Sequence, residues 1–327
     1  MPRLAVLLMA GLGLVCGAAA AQQPGRVYRI GYSQIVDHPA LNATRNGFLD
    51  GLKAAGFVEG KNLSFEYQNA QGDVGNARNI AEKFLADKVD LMAPCTTPNA
   101  QAAVRVARGT KVPVVFGCVT DPVGAGLVPA LDKPSDSNVT GTYGFPPVVR
   151  MFDVMLQACP GLKRIGTVYN ASESNSATFD RLSKAEAERR GLAWIEAPVT
   201  SSAEVLTASQ SLSGRVDAIL LGQDNTVASA FDAIVKTARD DKLPLFSFDA
   251  TAAQRGAIAS FGQNQYRMGY DWAKDLAVPV LLGRDPGTIV PMPYRAYDLD
   301  LNRAAAAAVN VTLPPALVSS AAKVFDK

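Results

Sequence analysis

The stretch VDLMAPCTTPNAQAAVRVA, residues 89–107, passes from a short apolar strand pattern directly into an amphipathic helix pattern. Cys95, Thr96, Thr97 and Pro98 occupy the joint between the two patterns. The first turn of a helix has free N–H groups and a partial positive charge, so this joint can receive an anion. A strand that leads into a helix is the building unit of parallel α/β proteins, and the stretch therefore predicts that fold class.

The same alternation continues on both sides of this stretch. Short β-branched segments alternate with helical patterns, which indicates parallel α/β units. Gly56 and Gly191 follow two of the helical patterns and are typical C-terminal stops. The predicted helices include residues 40–55, 77–86 and 176–190, and the predicted strands are residues 27–33, 62–67, 89–94, 112–117, 138–143, 164–169, 192–197, 216–222, 243–248 and 257–261.

Three short motifs at strand starts occur a second time about 130 residues later. They are RIG at 29–31 and 164–166, VD at 89–90 and 216–217, and VPV at 112–114, which returns as LPL at 243–245. Because the offset is nearly constant, we predict two similarly wound lobes with parallel sheets and a boundary near residues 144–148. Ligands bind beyond the carboxyl ends of the strands in such sheets, so two facing lobes would form a cleft.

Length and composition restrict the class of protein. At 327 residues the chain is long enough for two domains, and 48% hydrophobic with 19% charged residues is typical of a globular protein. A net charge of +2 does not indicate the clustered basic surface that nucleic acid requires. We therefore expect no nucleic-acid partner.

The first 21 residues have the pattern of a cleaved secretory signal peptide. Arg3 precedes an apolar run at residues 4–15, and small residues suited to cleavage follow it. We predict a periplasmic protein whose mature chain starts near Gln22, since no later stretch reaches the ~18 apolar residues of a membrane span. Cys16 could instead be a lipid-attachment cysteine, although Val15 before it is unusual for that signal.

Small polar and acidic side chains follow the predicted strands of both lobes. At any single position a helix cap is the simpler interpretation, but their concentration at one end of both lobes favours a ligand site. The candidate ligand-binding residues are Ser33, Gln34, Thr96, Thr97, Thr120, Asp121, Tyr143, Asn170, Asn175, Asp224, Asn225, Thr226 and Asp249.

Histidine and cysteine are scarce, which limits the available chemistry. His38, the single histidine, stands between Asp37 and Pro39 and is interpreted as a helix cap, with a contact at the rim of the site as the alternative. Cys95 and Cys118 lie on neighbouring strands, ~5 Å apart, and form either a disulfide or two buried thiols. Cys159, before Pro160, is expected to be a free thiol at a helix end.

Several longer motifs resemble one protein family. GYSQIVDHPALNATRNGFLDGLKAAGFVEGKNLSFEYQNAQGD, VTDPVGAGLV, YNASESNS and DNT resemble the ABC-transporter substrate-binding proteins of the tryptophan/tyrosine type, over residues 27–318. The resemblance implies a type I periplasmic-binding-protein fold, in which two Rossmann-like lobes joined by three crossovers close on a small ligand. It also implies that a separate ABC permease in the inner membrane performs transport.

The resemblance also implies where the chain divides into lobes, and this chain differs from the relatives at two places. The first lobe is expected at residues 27–143 plus about 265–292, and the second at 144–264 plus about 293–327. Relatives tend to have Ala or Ser where this chain has Cys95 and Cys118, and a Ser-Asp pair where it has the sequence TYGF. Both departures fall on the predicted pocket wall, so the ligand identity of the family transfers only loosely.

An amino acid ligand, with an aromatic one favoured, would present a carboxylate and an ammonium group. The joint at Thr96 and Thr97 suits the carboxylate without a buried Arg. Asp249 is the favoured ammonium partner and Asp224 the next. For Asp224 a helix cap and a ligand contact are equally supported, whereas a turn is the simpler interpretation of Asp121. The aromatic candidates for the wall are Tyr32, Phe116, Tyr143, Phe145, Tyr169 and Phe248, of which Tyr143 and Phe145 are preferred.

A polar cleft could also belong to an enzyme or to a receptor domain. An enzyme is disfavoured because the sequence has no H-E-x-x-H, G-x-S-x-G, Walker A or C-x-x-C motif, and nothing places a nucleophile beside His38. An exported ligand-sensing domain that feeds a membrane signalling partner is the runner-up. We expect a monomer without cofactor or metal.

Overall fold

The computed structural model describes residues 22–327. The predicted signal peptide and Cys16 lie outside the described residues. The strands are β1 Tyr28–Gln34, β2 Leu63–Asn69, β3 Leu91–Cys95, β4 Val114–Val119, β5 Val139–Tyr143, β6 Arg164–Asn170, β7 Ala193–Val199, β8 Ala218–Leu221, β9 Leu245–Ser247, β10 Ala259–Gln263, β11 Met292–Pro293, β12 Tyr297–Asn302 and β13 Lys323–Phe325.

The helices lie between these strands. Two 3-10 turns, Ser202–Glu204 and Pro286–Thr288, and a π-helical turn, Ala273–Ala277, complete the regular elements. The α-helices are α1 Pro39–Ala54, α2 Val74–Ala86, α3 Thr97–Ala107, α4 Val148–Ala158, α5 Ser174–Arg189, α6 Val205–Gln210, α7 Asn225–Ser229, α8 Phe231–Asp240, α9 Gln265–Trp272, α10 Val278–Leu281, α11 Arg303–Ala308 and α12 Pro315–Ser320.

The strands form two sheets, each flanked by helices. The first sheet has the order β2-β1-β3-β4-β5-β11 and the second has the order β7-β6-β8-β9-β10-β12-β13. β10 and β12 pair antiparallel, whereas the strands from β1 to β5 and from β6 to β10 pair in parallel. We call the first sheet with its helices the first lobe and the second sheet with its helices the second lobe. The predicted fold class, α/β with two parallel-sheet lobes, is confirmed.

The first five strands of each sheet follow the same winding, as the repeated motifs predict. The two VD motifs also make the same contact in both lobes: the Asp90 carboxylate accepts the N–H of Arg29, and the Asp217 carboxylate accepts the N–H of Arg164, both at 2.8 Å. All ten predicted strands are present with small shifts at their ends. β11, β12 and β13 were not predicted.

The helical segment after β10 returns from the second sheet to the first. Its helix α9 crosses α1 at two glycines: a Cβ on Gly47 or on Gly269 would lie 1.9 Å from a backbone oxygen of the other helix. Close backbone contact of this kind is possible only where no side chain intervenes. The crossing lets Trp272 pack against Phe48, with ring centroids 4.5 Å apart, in the core of the first lobe.

The chain passes between the lobes after β5, after β10 and after β11, and tyrosines connect these three crossovers. The Tyr297 hydroxyl accepts the Gln263 amide at 2.9 Å and donates to the Phe145 carbonyl at 2.6 Å. The N–H of Tyr294 donates to the Tyr143 carbonyl at 2.6 Å. The three crossovers therefore form one hydrogen-bonded hinge. Across residues 22–327 no helix combines the length and the apolar character of a membrane span.

Candidate functional site

A cleft between the two lobes contains about 660 Å³ of space free of protein atoms, including the part that is open to solvent. It lies at the carboxyl ends of the strands, where five helices begin: α1, α3, α5, α7 and α9. Its lining residues are Val36, His38, Ala40, Leu41, Thr96, Thr97, Cys118, Val119, Thr120, Asn175, Gln223, Asp224, Asn225, Ala228, Asp249, Ala250, Gln263, Gln265 and Met268.

The joint between β3 and α3 forms one wall of the cleft. The hydroxyl oxygens of Thr96 and Thr97 are buried there without a hydrogen-bond partner in the protein. Thr96 is the N-cap of α3 and has a φ of 90°, which is rare for a residue with a side chain, and its hydroxyl makes no capping bond. A buried hydroxyl without a partner is costly, so both groups are arranged to donate to something that enters the cleft.

The first turn of α5 forms the opposite wall. Asn175 is buried, and its amide nitrogen donates to the Gln223 carbonyl at 2.8 Å and to the Glu173 carboxylate at 3.2 Å. Its amide oxygen is buried with no partner. This wall therefore presents an unused acceptor, whereas the joint at α3 presents unused donors.

Asp224 supplies a carboxylate to the same wall while it caps α7. Its oxygens accept the N–H of Val227 at 2.8 Å, the N–H of Asn170 at 2.6 Å and the Ser176 hydroxyl at 2.5 Å. Burial, and after it the nearby Glu173 carboxylate, raises the pKa of Asp224 to about 6. A cation in the cleft would favour the ionised form of this group.

Asp249 is engaged across the cleft with the other lobe. Its carboxylate lies 3.1 Å from Nε2 of His38 and accepts the N–H and the hydroxyl of Thr251, both at 2.7 Å. Burial alone would raise the pKa of Asp249, but the hydrogen bonds from His38 and Thr251 outweigh it and lower the pKa. Asp249 is therefore a carboxylate that is ionised and already paired in this arrangement of the lobes.

His38 is both a helix cap and a residue of the cleft, the two interpretations that the sequence left open. Its Nδ1 accepts the N–H of Ala40 at 3.3 Å as the N-cap of α1, and its ring lines the cleft. Because Nδ1 accepts a hydrogen bond, Nε2 is the nitrogen that bears the proton and donates to Asp249. Nη1 of Arg255 lies 3.3 Å from the same Nε2.

The apolar part of the lining is aliphatic. It consists of Val36, Ala40, Leu41, Val119, Ala228, Ala250 and Met268. None of the six aromatic candidates lines the cleft. Tyr32, Phe116 and Phe248 are fully buried in the lobe cores, and Tyr143 packs edge-on against Phe145 with ring centroids 6.0 Å apart.

The structure brings together seven of the thirteen candidate site residues: Thr96, Thr97, Thr120, Asn175, Asp224, Asn225 and Asp249 line the cleft. Ser33, Gln34, Asp121, Tyr143, Asn170 and Thr226 lie outside the lining. Several of these have local roles: Gln34 donates to the Val36 carbonyl and to Asn42, and Asp121 accepts the N–H of Gly124. Asn170 donates to Thr226, which donates to Glu173.

Sequence reasoning missed a second group of lining residues. Gln263, Gln265 and Met268 reach the cleft because the segment after β10 crosses from one lobe to the other. Val36 and Leu41 flank His38, so the interpretation of His38 as a rim contact was the one signal that pointed to them. Glu173, which accepts five hydrogen bonds behind Asp224 and Asn225, was also not singled out.

The arrangement can bind a molecule with an anionic and a cationic end. The first lobe offers two hydroxyl donors at a helix N-terminus, and the second lobe offers an amide oxygen and two carboxylates. Among the described residues no cluster of three or more His, Cys, Asp or Glu could hold a metal ion.

Comparison with known proteins finds matches over most of the described chain. The family model for ABC transporter substrate binding protein matches residues 29–325. A tyrosine-binding protein of Clostridioides difficile (strain R20291) is 35% identical over 260 residues, which cover 80% of this chain and 74% of that protein.

Two solved structures superpose on both lobes. An ABC domain in complex with L-Trp from Streptococcus pneumoniae gives a TM-score of 0.87 at 29% identity and covers 91% of this chain and 100% of its own. The ligand-free, open structure of a substrate binding protein with adhesive properties from Clostridium difficile gives 0.69 at 34% identity and covers 92% and 100%. The fold is that of type I periplasmic binding proteins, and this chain belongs to the ABC transporter substrate binding protein family.

Proposed function

We propose that this protein captures an amino acid, with an aromatic one favoured, in the cleft between its lobes and presents it to an ABC permease in the inner membrane. The observation that most supports this is the opposition of unused donors at Thr96 and Thr97 to an unused acceptor at Asn175. These groups complement the two charged ends of a zwitterion. The family is one of solute-binding proteins rather than enzymes.

The ligand's carboxylate belongs at the start of α3. The free N–H groups of the first helical turn and the hydroxyls of Thr96 and Thr97 would all donate to it. Hydrogen bonds to a charged group contribute ~1.5 to 3 kcal/mol each. No described Lys or Arg lines the cleft, so helix-end amides and hydroxyls carry the recognition of the anion.

The ligand's ammonium group belongs at the second lobe. The Asn175 amide oxygen and the Asp224 carboxylate are the acceptors that we favour, because Asp249 is already paired with His38 of the other lobe, whereas Asp224 is hydrogen-bonded only within its own lobe. This order reverses the ranking of the two aspartates that the sequence alone suggested. Thr120 of the first lobe and Asn225 of the second lobe are further polar residues of the lining.

The ligand's side chain would pack against the aliphatic part of the lining. Leu41 and Met268 offer apolar contact to a ring, and a thioether packs favourably against the edge of an aromatic ring. The relatives named as tyrosine-binding and as bound to L-Trp support an aromatic ligand. An aromatic side chain on the protein is therefore not required for this assignment.

The closed arrangement of the lobes supports capture by hinge closure. The structure is closer to the Trp-bound relative than to the ligand-free, open one, although the open relative has the higher sequence identity. Contacts across the cleft from His38 to Asp249, and from Thr178 to Asp121 at 3.4 Å, favour this arrangement. We propose that the chain acts outside the cytoplasm, where such proteins meet their permease.

A thermal-shift and calorimetry screen of amino acids tests the proposed function. L-Trp, L-Tyr and L-Phe should raise the melting temperature, and ligand at 100 times its Kd should stabilise the fold by about 2.7 kcal/mol. Tryptophan methyl ester lacks the carboxylate and indole-3-propionate lacks the ammonium group, so both should bind at least about ten-fold more weakly than L-Trp. If no aromatic or branched amino acid shifts the melting temperature, the assignment of the substrate is wrong.

A single substitution tests the carboxylate position. Thr97→Val keeps the shape of the side chain and removes one donor, so the affinity for the amino acid should fall about ten-fold or more. Thr207→Val, at an exposed position of α6, is the matched control and should bind like the unaltered protein. Equal affinity of the two variants would show that the carboxylate lies elsewhere.

A further inference from the structure

Two cysteines lie directly behind the joint of β3 and α3. Cys95 ends β3 and is fully buried, and Cys118 belongs to the neighbouring strand β4 and lines the cleft. The two strands pair in parallel with Cys95 opposite Gly117, and the two Sγ atoms are 2.6 Å apart. Neighbouring strands of a sheet lie within the Cα separation that a disulfide requires.

The backbone at this place is unusual on both strands. Cys118 has a φ of 54° and Thr96, directly after Cys95, has a φ of 90°. Both residues have side chains, and such conformations persist only where the surroundings hold them. The N–H of Thr96 donates to the Gly117 carbonyl at 3.0 Å, so the two unusual residues are joined through adjacent peptides.

The backbone around Cys95 and Cys118 is closely packed and has little room to move. A Cβ on Gly117 would lie 2.6 Å from the Trp272 ring, so β4 rests directly on the core of the first lobe. A bond between Cys95 and Cys118 would close a small ring that includes the Thr96–Gly117 hydrogen bond. That ring would fix the backbone that aims the Thr96 and Thr97 hydroxyls into the cleft.

We propose that Cys95 and Cys118 form a disulfide that holds the joint of β3 and α3 in its ligand-binding conformation, so that ligand affinity depends on the redox state of this pair. The dependence of ligand affinity on the redox state rests on the proposed function, whereas the existence of the disulfide does not. The two thiols lose two protons and two electrons, and the disulfide of a thiol oxidant takes them up and becomes two thiols. Burial raises the pKa of Cys118 well above its ordinary value, so the reaction has to take place in the open form or during folding.

Mass mapping of the unreduced protein tests the bond. The purified protein, alkylated in denaturant without reductant, should contain a peptide pair linked through Cys95 and Cys118 and an alkylated Cys159. Treatment with oxidised glutathione before alkylation should not change this result. Alkylation of all three cysteines after that treatment would overturn the proposal.

Calorimetry with L-Trp tests the coupling to ligand binding. The double variant Cys95→Ser/Cys118→Ser should bind L-Trp about ten-fold more weakly, as should the unaltered protein reduced in its ligand-free form, because the left-handed residues are then no longer held. Cys159→Ser, which changes a thiol at the end of α4 away from the cleft, is the matched control and should keep its affinity. Equal affinities of oxidised protein, reduced protein and double variant would overturn the coupling.

The two hypotheses fail in different ways. If no amino acid binds either redox form, the proposed function is wrong, and the mass mapping still decides whether the bond exists. The melting temperatures of the oxidised and reduced protein then decide whether the bond holds the joint. Equal melting temperatures in that case would overturn that part of the proposal.

Discussion

The carboxylate of Asp224 has two roles. It caps α7 and, in the proposed function, receives the ligand's ammonium group. The sequence allowed both interpretations of this residue equally, because an aspartate before a short helix is an ordinary N-cap. Only the burial of its side chain beside the Glu173 carboxylate distinguishes it from a cap on the surface.

The raised pKa of Asp224 predicts a pH dependence of ligand binding. With a pKa of about 6 the carboxyl is ionised at pH 7 and protonated at pH 5, and an ammonium group prefers the ionised form. The affinity for an amino acid should therefore fall about ten-fold between pH 7 and pH 5. Calorimetry at several pH values measures this slope.

The variant Asp224→Asn tests whether protonation of the Asp224 carboxyl causes this pH dependence. Asn is also a good N-cap, so α7 should keep its start. The variant should bind weakly at pH 7 and show a nearly flat profile down to pH 5. If the slope persists in the variant, Asp224 is not the group that takes up the proton.

His38 lies where the two lobes meet, and it donates to Asp249 of the other lobe. His38→Asn should retain the cap of α1, since Asn is a preferred N-cap, but its shorter side chain removes the contact with Asp249. We expect the affinity for the amino acid to fall about ten-fold, mainly through faster ligand release. Stopped-flow measurements give the release rate.

Asp37→Asn is the matched control for His38→Asn. Asp37 is the exposed neighbour of His38 and contacts Asn42 of the same lobe, so its change should leave the release rate unaltered. An unchanged release rate in His38→Asn would show that the contact with Asp249 does not hold the lobes together.

Among the elements, α5 is held by an ion cluster as well as by its apolar face. Glu186 accepts the Arg189 guanidinium at 2.7 Å and Nε of Arg190 at 2.5 Å, and Arg190 also reaches Asp153 of α4 at 2.8 Å. The hydrogen bond from Arg189, with the charge and hydrogen bond of Arg190, lowers the pKa of Glu186 to about 2 against the opposing effect of burial. The cluster connects α5 to α4.

This lowered pKa predicts how acid weakens the second lobe. The folded pKa lies below the unfolded value of ~4.3, so the ionised Glu186 stabilises the protein above that value and the contribution is lost as the pH falls through about 2. Glu186→Gln should reduce the free energy of unfolding by about 1 kcal/mol at pH 7, because the partners are partly exposed to solvent. Urea unfolding at pH 7 and at pH 2.5 measures the difference, which should shrink at the lower pH.

Glu188→Gln supplies the comparison within the same helix. Glu188 is exposed and makes no described ion pair, so its change should alter the stability little at either pH. A pH-independent loss in Glu186→Gln would indicate that packing, and not the charge cluster, is responsible.

Element types were predictable from the sequence because each depends on a local pattern. The ten strands of the two repeated windings stand out as β-branched segments bounded by turns, as in residues 216–222 around β8. β11 and β13 are two and three residues long, too short for a period to appear. They become strands only because β5 and β12 offer free edges.

For the whole molecule, the hinge at the three crossovers sets how far the lobes can close. Gly144 lies at its centre: a Cβ there would be 2.1 Å from the Gln263 amide nitrogen and 2.9 Å from the Tyr297 hydroxyl. A methyl group at this position would have to displace the Gln263 amide, which donates to Tyr297 in the hinge. Substitution of Gly144 would therefore disturb a hydrogen bond that joins the crossovers.

Gly144→Ala should favour the open form. We expect the affinity for the amino acid to fall about ten-fold, since the affinity is reduced by the fraction of molecules that can close. Small-angle X-ray scattering should show that ligand reduces the radius of gyration of the unaltered protein and has little effect on that of the variant.

Gly161→Ala is the control for this experiment. No atom lies within 4 Å of a Cβ built on Gly161, so this variant should close and bind like the unaltered protein. Full ligand-induced compaction of Gly144→Ala would show that the hinge accommodates the methyl group.

The sequence by itself determined the winding of each lobe, the duplication and the polar joint at Thr96 and Thr97. These features depend on residues close together in the chain, where hydrophobic period, turn residues and helix caps act. The tertiary structure alone decided which residues share the cleft. His38 meets Asp249 because the crossovers bring the two lobes together, and Met268 reaches the lining because α9 packs on α1 of the first lobe. Such contacts between distant residues leave no period in the sequence.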